Sequence, residues 1–570
     1  MQTGRFPLFA AAVLLVAAPV SAFGQTPRAS APADLIVTNA RVYTADAARP
    51  EVQAFAVKAG RIVFAGSTSE AEALAGSGTE RLDLGGLTVI PGMVDAHGHL
   101  IGLGDALATV DLVGSRSYDE VIARVVERAR TVPKGEWIRG RGWDQNDWPD
   151  TRMPSHAALS SAVPDHPVLL ERVDGHATLV NAAAMRQAEI TRTTPDPAGG
   201  RILKDASGEP TGVLIDNAGG LAWEHVPEGT REQLERSIVK AIGELHRYGL
   251  TGIHDAGVGR GGIEAYESLA RAGRFKLRDY VMVSGDSGSL TAAFRRGPQS
   301  ALHDGRIWIR AIKLLSDGAL GSRGAALLDP YSDDHDNRGL ILTEADELDR
   351  IAAAALENGF QLNVHAIGDR ANRMVLDAFE KALEARPTPD HRFRVEHAQI
   401  LNFADIPRFA ELGVIPSMQG SHQTSDMYWV PERLGYARAL GAYAWQSLLR
   451  TGVVIPNGSD FPVESPNPII SFHAFVTRQD AAGFPAGGWM PAQRTSREQA
   501  LLSMTLWPAY AAFMEAETGS ITPGKYADFV VLDRDIMTVP AEQIMDTKVL
   551  RTVLGGETVY EAGPDPERKR

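Results

Sequence analysis

Ile90-Pro91-Gly92-Met93-Val94-Asp95-Ala96-His97-Gly98-His99-Leu100 is the stretch on which the rest of the chain turns. An apolar run leads into it and two histidines close it. His97 and His99 stand two positions apart, so on an extended chain both side chains point to one face. Neutral imidazole is the commonest nitrogen ligand for zinc and related ions. Gly98 has no side chain, which is expected to keep the space between the two rings open. A His-x-His pair also arises as a polar strand end with one capping histidine. The pair therefore gains meaning only from ligand types supplied elsewhere.

Working outward, strand-like runs end near His97, Asp255, Ser284, Ser316, His365, His397, Met418 and Asp460. Most are followed by a helical pattern, such as Ala371 to Leu383 or Asp405 to Glu411. Eight parallel strands with helices outside form a TIM barrel, whose chemistry sits at the C-terminal ends of the strands. The expected fold is α/β, a (β/α)8 barrel over residues 91–499. One spacing is abnormal. About 150 residues separate His97 from the run Gly252-Ile253-His254-Asp255, against roughly 30 for an ordinary βα unit. Residues 103–245 are therefore expected to be an insertion, partly β, on the active-site side. It contains Trp143, Asp144, His176, Trp223 and His225.

Both flanks of the barrel are β-rich. Asp34 to Ala40 and Ala54 to Lys58 are short strands, and Lys58-Ala59-Gly60-Arg61 reads as a hairpin turn into Ile62 to Ala65. The far end is written alike: Ala527 to Asp533, Val549 to Leu554, a Gly555-Gly556 turn, then Thr558 to Tyr560. Neither end alone has enough strands for a stable sandwich. Residues 33–90 and 500–565 are expected to pair into one composite β-sandwich domain.

A chain of 570 residues exceeds one compact core, so two or three domains are expected. With 44% hydrophobic residues it reads as globular. There are 57 Lys+Arg against 71 Asp+Glu, a net charge of −14, which argues against nucleic-acid or anionic-membrane partners. Residues 1–25 read as an export signal: Arg5, an apolar core from Leu8 to Ala18, and the small-x-small pattern Val20-Ser21-Ala22. That core is too short for a permanent membrane span. Export, with a periplasm as the destination, is the expectation. The absence of cysteine removes disulfides and is compatible with an oxidising space without indicating one.

The remaining candidates lie at strand ends. Ile307 to Leu315 is a strand with Lys313 embedded in it. An ammonium pointing into a barrel is costly unless paired or chemically altered. Asn363-Val364-His365 and Val395-Glu396-His397 each deliver an imidazole, and Asn457-Gly458-Ser459-Asp460 delivers a carboxylate on a turn. Any one of these is more often structural than catalytic; together they are hard to obtain by chance.

The order His-x-His, Lys, His, His, Asp resembles the amidohydrolase superfamily. The surrounding segments are similar to its YtcJ-like branch, which includes N-substituted formamide deformylase. They are PGMVDAHGHL (91–100), IKLLSDGALGSRGAAL (312–327), NVHAIGDRAN (363–372), VEHAQI (395–400), NGSDFPVE (457–464) and GSITPGKYADFVVLD (519–533). The resemblance implies a metal-dependent hydrolase acting on a small molecule. It places His97, His99 and Asp460 on a buried metal and His365 and His397 on a second. Lys313, as N6-carboxylysine, would bridge the two, with zinc the expected metal and iron or manganese the alternatives. Asp460 would be the proton shuttle. The expected reaction is hydrolysis of a linear N-acyl or N-formyl C–N bond. A deaminase, cyclic amidase, lactone or ester hydrolase, or a non-catalytic metal-binding protein, are the competing readings. His176, Arg323, Trp143 and Asp144 are candidate substrate contacts, and Trp143 with Trp223 would favour a partly hydrophobic substrate. Oligomeric state is not legible.

Overall fold

The computed structural model describes residues 32–173, 177–197, 200–227, 229–321 and 323–563. The expected export signal at 1–25 and the candidate His176 lie outside the described residues. Eight parallel strands line up as β1 (Met93–Gly98), β2 (Leu250–Val258), β3 (Arg278–Ser284), β4 (Ile307–Leu315), β5 (Gln361–Ala366), β6 (Arg394–His397), β7 (Ile415–Gln419) and β8 (Asn457–Gly458). All eight strand ends anticipated from the chain are in this set. Their order in the sheet follows their order in the chain, with β1 and β8 at its two edges. Those edges meet through Asp460 N–H donating to His97 O (2.7 Å) and His99 N–H donating to Phe461 O (2.9 Å). The barrel thus closes on the residues that carry its candidate ligands.

Strands buried on both faces must be apolar almost throughout. In β4, Ile307, Trp308, Ile309, Ala311 and Ile312 are all buried, which makes the lysine among them conspicuous. The surrounding helices are amphipathic. In Asp369–Ala385, Ala371, Val375, Leu376, Ala378, Phe379 and Ala382 face inward at helical spacing. Helix Arg231–Arg247 starts with a capping box of Thr230 and Gln233, and Asp286 caps Ser287–Arg296 through Ser289 N–H.

The two chain ends build a pair of sheets. One orders Arg61–Gly66, Ala54–Lys58, Leu35–Thr38 and Glu80–Asp83; the other orders Glu557–Glu561, Val549–Leu554, Phe529–Leu532, Thr88–Pro91, Arg41–Tyr43 and Glu51–Val52. The join is antiparallel, Phe529 opposite Pro91 through Leu532 opposite Thr88. Phe55 and Phe529 meet edge to face at 5.0 Å in a core with Val37, Val57, Val89 and Val531. Ala59 (φ 49°) and Gly60 (φ 74°) take the two left-handed positions of the expected hairpin turn.

A third sheet, ordered Gly200–Lys204, Pro210–Asp216, Ala177–Val180, Val168–Arg172, Ile138–Trp143 and Val110–Asp111, occupies the long gap after β1. It is narrower than the anticipated 103–245. Helices Leu100–Ala108 and Arg231–Arg247 pack on each other, a Cβ on Gly104 falling 2.9 Å from the Ser237 backbone, and Ile238, Ile242 and Leu245 join the barrel core. Barrel packing also runs past 499, since Ala500, Leu501 and Met504 belong to the same core. No helix among the described residues is long and apolar enough to cross a membrane.

Candidate metal centre

The C-terminal end of the barrel gathers four imidazoles, a lysine and a carboxylate. His97 is buried in β1; its Nδ1 lies 2.5 Å from Glu396 Oε2 and its Nε2 3.6 Å from Asp460 Oδ1. His99, partly exposed, donates from Nδ1 to Ala256 O (2.9 Å) and meets Asp460 Oδ1 through Nε2 (2.9 Å). His397, the last residue of β6, directs Nδ1 to Gln419 Oε1 (2.8 Å). Its ring centroid is 4.8 Å from that of His97 and 4.6 Å from that of His365. His97, His397 and Asp460 each offer one ligand atom, and these atoms lie within 4.8 Å of one another.

Local backbone explains how adjacent residues reach one site. In an extended strand Glu396 and His397 would face opposite sides. His397 has φ 74° and Ala398 φ 42°, so the alternation breaks at the strand end and both side chains turn inward. Asp460 is also left-handed (φ 59°), a conformation that Asp and Asn tolerate better than most residues. Ser459 beside it donates to Asp95 through Oγ (2.6 Å), and His97 N–H donates to the same carboxylate (3.1 Å), pinning β1 to β8. Gly98 does not serve to keep the rings apart, as the sequence suggested. A Cβ there would meet the Phe461 ring at 2.5 Å, so the missing side chain makes room for Phe461.

The electrostatics favour neutral rings at His365 and His397 and an ionised Asp460. Burial, with the Lys313 charge, pushes His365 down to about 3, and burial with the neighbouring His365 and His97 holds His397 well below the usual imidazole range. Burial opposes ionisation of Asp460, but the His99 hydrogen bond and the surrounding imidazoles prevail and hold its carboxyl well below the usual range. Burial also works against charge on His99, and Asp460 outweighs it and raises the ring. Lys313 is buried, with no hydrogen bond or ion pair among the described residues, and burial lowers its amine against the opposing pull of Glu396 and Asp460.

Three residues absent from the candidate set complete the surroundings. Glu396 fixes the His97 tautomer and is itself paired with Arg394 (2.8 Å), both fully buried. Against the cost of burial, Arg394 and His97 hold the Glu396 carboxyl down at about 2. Asp317 accepts three backbone N–H groups, from Ala326, Ile367 and Gly368, and lies 3.5 Å from His365 Nε2. His422, 3.9 Å from Asp460, opens the helix after β7. A carboxylate embedded in an apolar strand directly before His397 was the readable signal for Glu396.

The substrate candidates fare differently. Trp143 is fully buried; its ring N–H donates to Leu170 O and it packs on Trp148 inside the inserted unit, so it does not line an open mouth. Asp144 pairs with Arg172 (2.5 Å). Arg323 pairs with Asp333 (2.9 Å) in the loop after β4, and Trp223 is partly buried with Arg139 over its ring (5.9 Å). Among the described residues, the contacts of Trp143, Arg323 and Trp223 lie outside the imidazole cluster.

The donor set fits divalent cations. Ligand imidazoles must be neutral and ligand carboxylates ionised; His97, His365, His397 and Asp460 are shifted that way, whereas Asp460 favours a proton on His99, which a bound cation would displace. His422 Nε2 is buried without a hydrogen-bond partner among the described residues, and His365 Nε2 has only the Asp317 carboxylate near it, at 3.5 Å.

The chain is similar to several known proteins. The sequence profile described as "Amidohydrolase family" matches residues 80–560. The Bacillus subtilis protein named "Putative amidohydrolase YtcJ" is 34% identical over 488 residues, covering 85% of this chain and 91% of its own. N-substituted formamide deformylase of Arthrobacter pascens is 30% identical over 546 residues, 93% of this chain and 98% of its own. The crystal structure of an uncharacterized metal-dependent hydrolase from Pyrococcus horikoshii superposes with a TM-score of 0.75 at 28% identity, over 89% of this chain and 99% of that one.

Proposed function

The chain belongs to the amidohydrolase family, a group of metal-dependent hydrolases, and from that premise we propose that it hydrolyses a linear N-acyl or N-formyl C–N bond of a small, partly hydrophobic substrate. The observation that carries the reading is the convergence of His97, His99, His365, His397, Lys313 and Asp460 at one end of the barrel. The kinship with a formamide deformylase supports the choice of a linear amide.

His97, His99 and Asp460 would hold one divalent cation, and His365 and His397 a second. Lys313 would bridge both as a carbamate, formed when its neutral amine adds to carbon dioxide and loses a proton. Burial favours the neutral amine this requires. Zinc suits imidazole-plus-carboxylate donors. Such ions polarise a carbonyl and lower the pKa of water. Asp460 takes the proton from the attacking water as its oxygen adds to the amide carbon. When the C–N bond breaks, that proton passes to the departing nitrogen, leaving a carboxylic acid and an amine. Leu315 at the end of β4, Leu340 and Leu342 in the following loop, and Val463 beyond β8 are exposed apolar side chains on catalytic-face segments, which supports a hydrophobic substrate portion. With residues 1–25 as a leader, the enzyme would act outside the cytoplasm, in the periplasm.

Metal analysis combined with kcat/KM on acyl amines, N-acyl amino acids, cyclic imides, lactones and aminopurines tests this reading. We expect close to two divalent ions per chain, activity abolished reversibly by chelation, and best turnover on linear N-acyl or N-formyl compounds. Full activity without bound metal, or best turnover on lactones or aminopurines, overturns it.

A further inference from the structure

His422 belongs to none of the motifs that marked the site. It lies in the first turn of the helix Gly420–Asp426, immediately after β7. Its ring is parallel to that of His397, with 6.0 Å between centroids and 7° between planes. The residue is 8% exposed, its Nε2 has no hydrogen-bond partner among the described residues, and that atom stands 3.9 Å from Asp460 Oδ2. The gap is too long for a direct hydrogen bond and suits two groups that share an intervening atom. A buried, unanswered imidazole nitrogen aimed at the proton shuttle calls for a partner that arrives with the substrate.

We propose that His422 contacts the substrate nitrogen and selects amides that carry an N–H. The inference rests on the amidase reading above. As the C–N bond weakens, the nitrogen becomes pyramidal and its lone pair must face Asp460 to receive the proton. Its N–H then points elsewhere and needs its own acceptor. Two partners of a tetrahedral nitrogen, each at about 2.9 Å, stand roughly 4–5 Å apart. The 3.9 Å between His422 Nε2 and Asp460 Oδ2 is close to that spacing. With its proton on Nδ1, His422 accepts from the amide N–H and holds the lone pair toward Asp460. An N,N-disubstituted amide puts an alkyl group where that hydrogen bond belongs.

The test compares a secondary N-alkyl formamide with its N-methylated counterpart on metal-loaded wild type, His422→Phe and His422→Gln. Phe keeps a ring against His397 and removes the nitrogen; Gln keeps an acceptor. Wild type should favour the secondary amide by about a hundredfold, the upper end of what leaving a buried acceptor unpaired costs. His422→Phe should lose about a hundredfold on the secondary amide, change by no more than about threefold on the tertiary one, and bring the ratio near one. His422→Gln should recover part of the preference, and metal content should be unchanged in both variants. An unchanged ratio in His422→Phe, or loss of metal from it, overturns the assignment and leaves the amidase reading intact. Wild type that turns over neither amide, while acting on another substrate class, overturns the amidase reading and this inference with it.

Discussion

The proposed chemistry converges on one side chain, Asp460. Its Oδ1 faces His97 and His99 and its Oδ2 faces His422, so these imidazoles compete for the same charge. Asp460→Asn should separate holding from proton transfer. Asn is well tolerated at a left-handed position, so the turn at φ 59° survives. The amide oxygen still ligates, whereas the basic lone pair that takes the proton is gone. We expect most of the metal to remain, with a rate loss of about a hundredfold or more, the usual scale for a general base. Turnover near wild type, measured beside metal content, would exclude Asp460 as the shuttle.

At the scale of elements, the decisive feature is the seam between β1 and β8. The backbone bonds Asp460 N–H to His97 O and His99 N–H to Phe461 O close the barrel and set the distance between two sets of candidate ligands. Phe461 is fully buried and fills the space over Gly98, so the seam has no slack. Gly98→Ala should therefore cost about 1–3 kcal/mol by overpacking, read as a lower urea midpoint. Because Phe461 adjoins Asp460, the same variant should bind its metal more weakly. A Gly98→Ala protein of unchanged stability and metal affinity would show that the Phe461 ring moves freely.

At the scale of the whole molecule, a buried ion pair ties the sandwich to the barrel floor. Arg278 of β3 grips Asp528 in two places (2.5 and 2.8 Å), donates to Gly305 O (2.6 Å), and stacks on Tyr526 at 3.7 Å. Asp528 also accepts from Gly555 N–H, and its backbone carbonyl accepts from Gly92 N–H. Removing one partner of a buried pair leaves an uncompensated charge, which typically costs about 3–5 kcal/mol. Asp528→Ala should lower the first unfolding transition on that scale. Replacing both partners with leucine should cost less than Asp528→Ala alone. Equal losses would locate the effect in packing rather than in the stranded guanidinium.

The sequence by itself determined the strand ends, because a strand buried on both faces must be written in apolar residues, and a polar side chain closing it stands out. His97, His99, His365, His397, Asp460 and the embedded Lys313 were legible for that reason, and so was the pairing of the two chain ends, each too short of strands alone. What the sequence could not give were contacts made across the barrel. Glu396 reads as an outward neighbour of His397 until the left-handed turn at the strand end brings both inside. His422 has nothing apolar around it to mark it and gains meaning only from Asp460, which is distant in sequence and 3.9 Å away in space. Trp143 looked like a pocket wall because an aromatic in an insertion reads the same whether it faces a substrate or its own core. Only packing decided for the core. Periodicity and composition are local and survive in one dimension; which side chains meet depends on how eight strands close, and that is settled by tertiary structure alone.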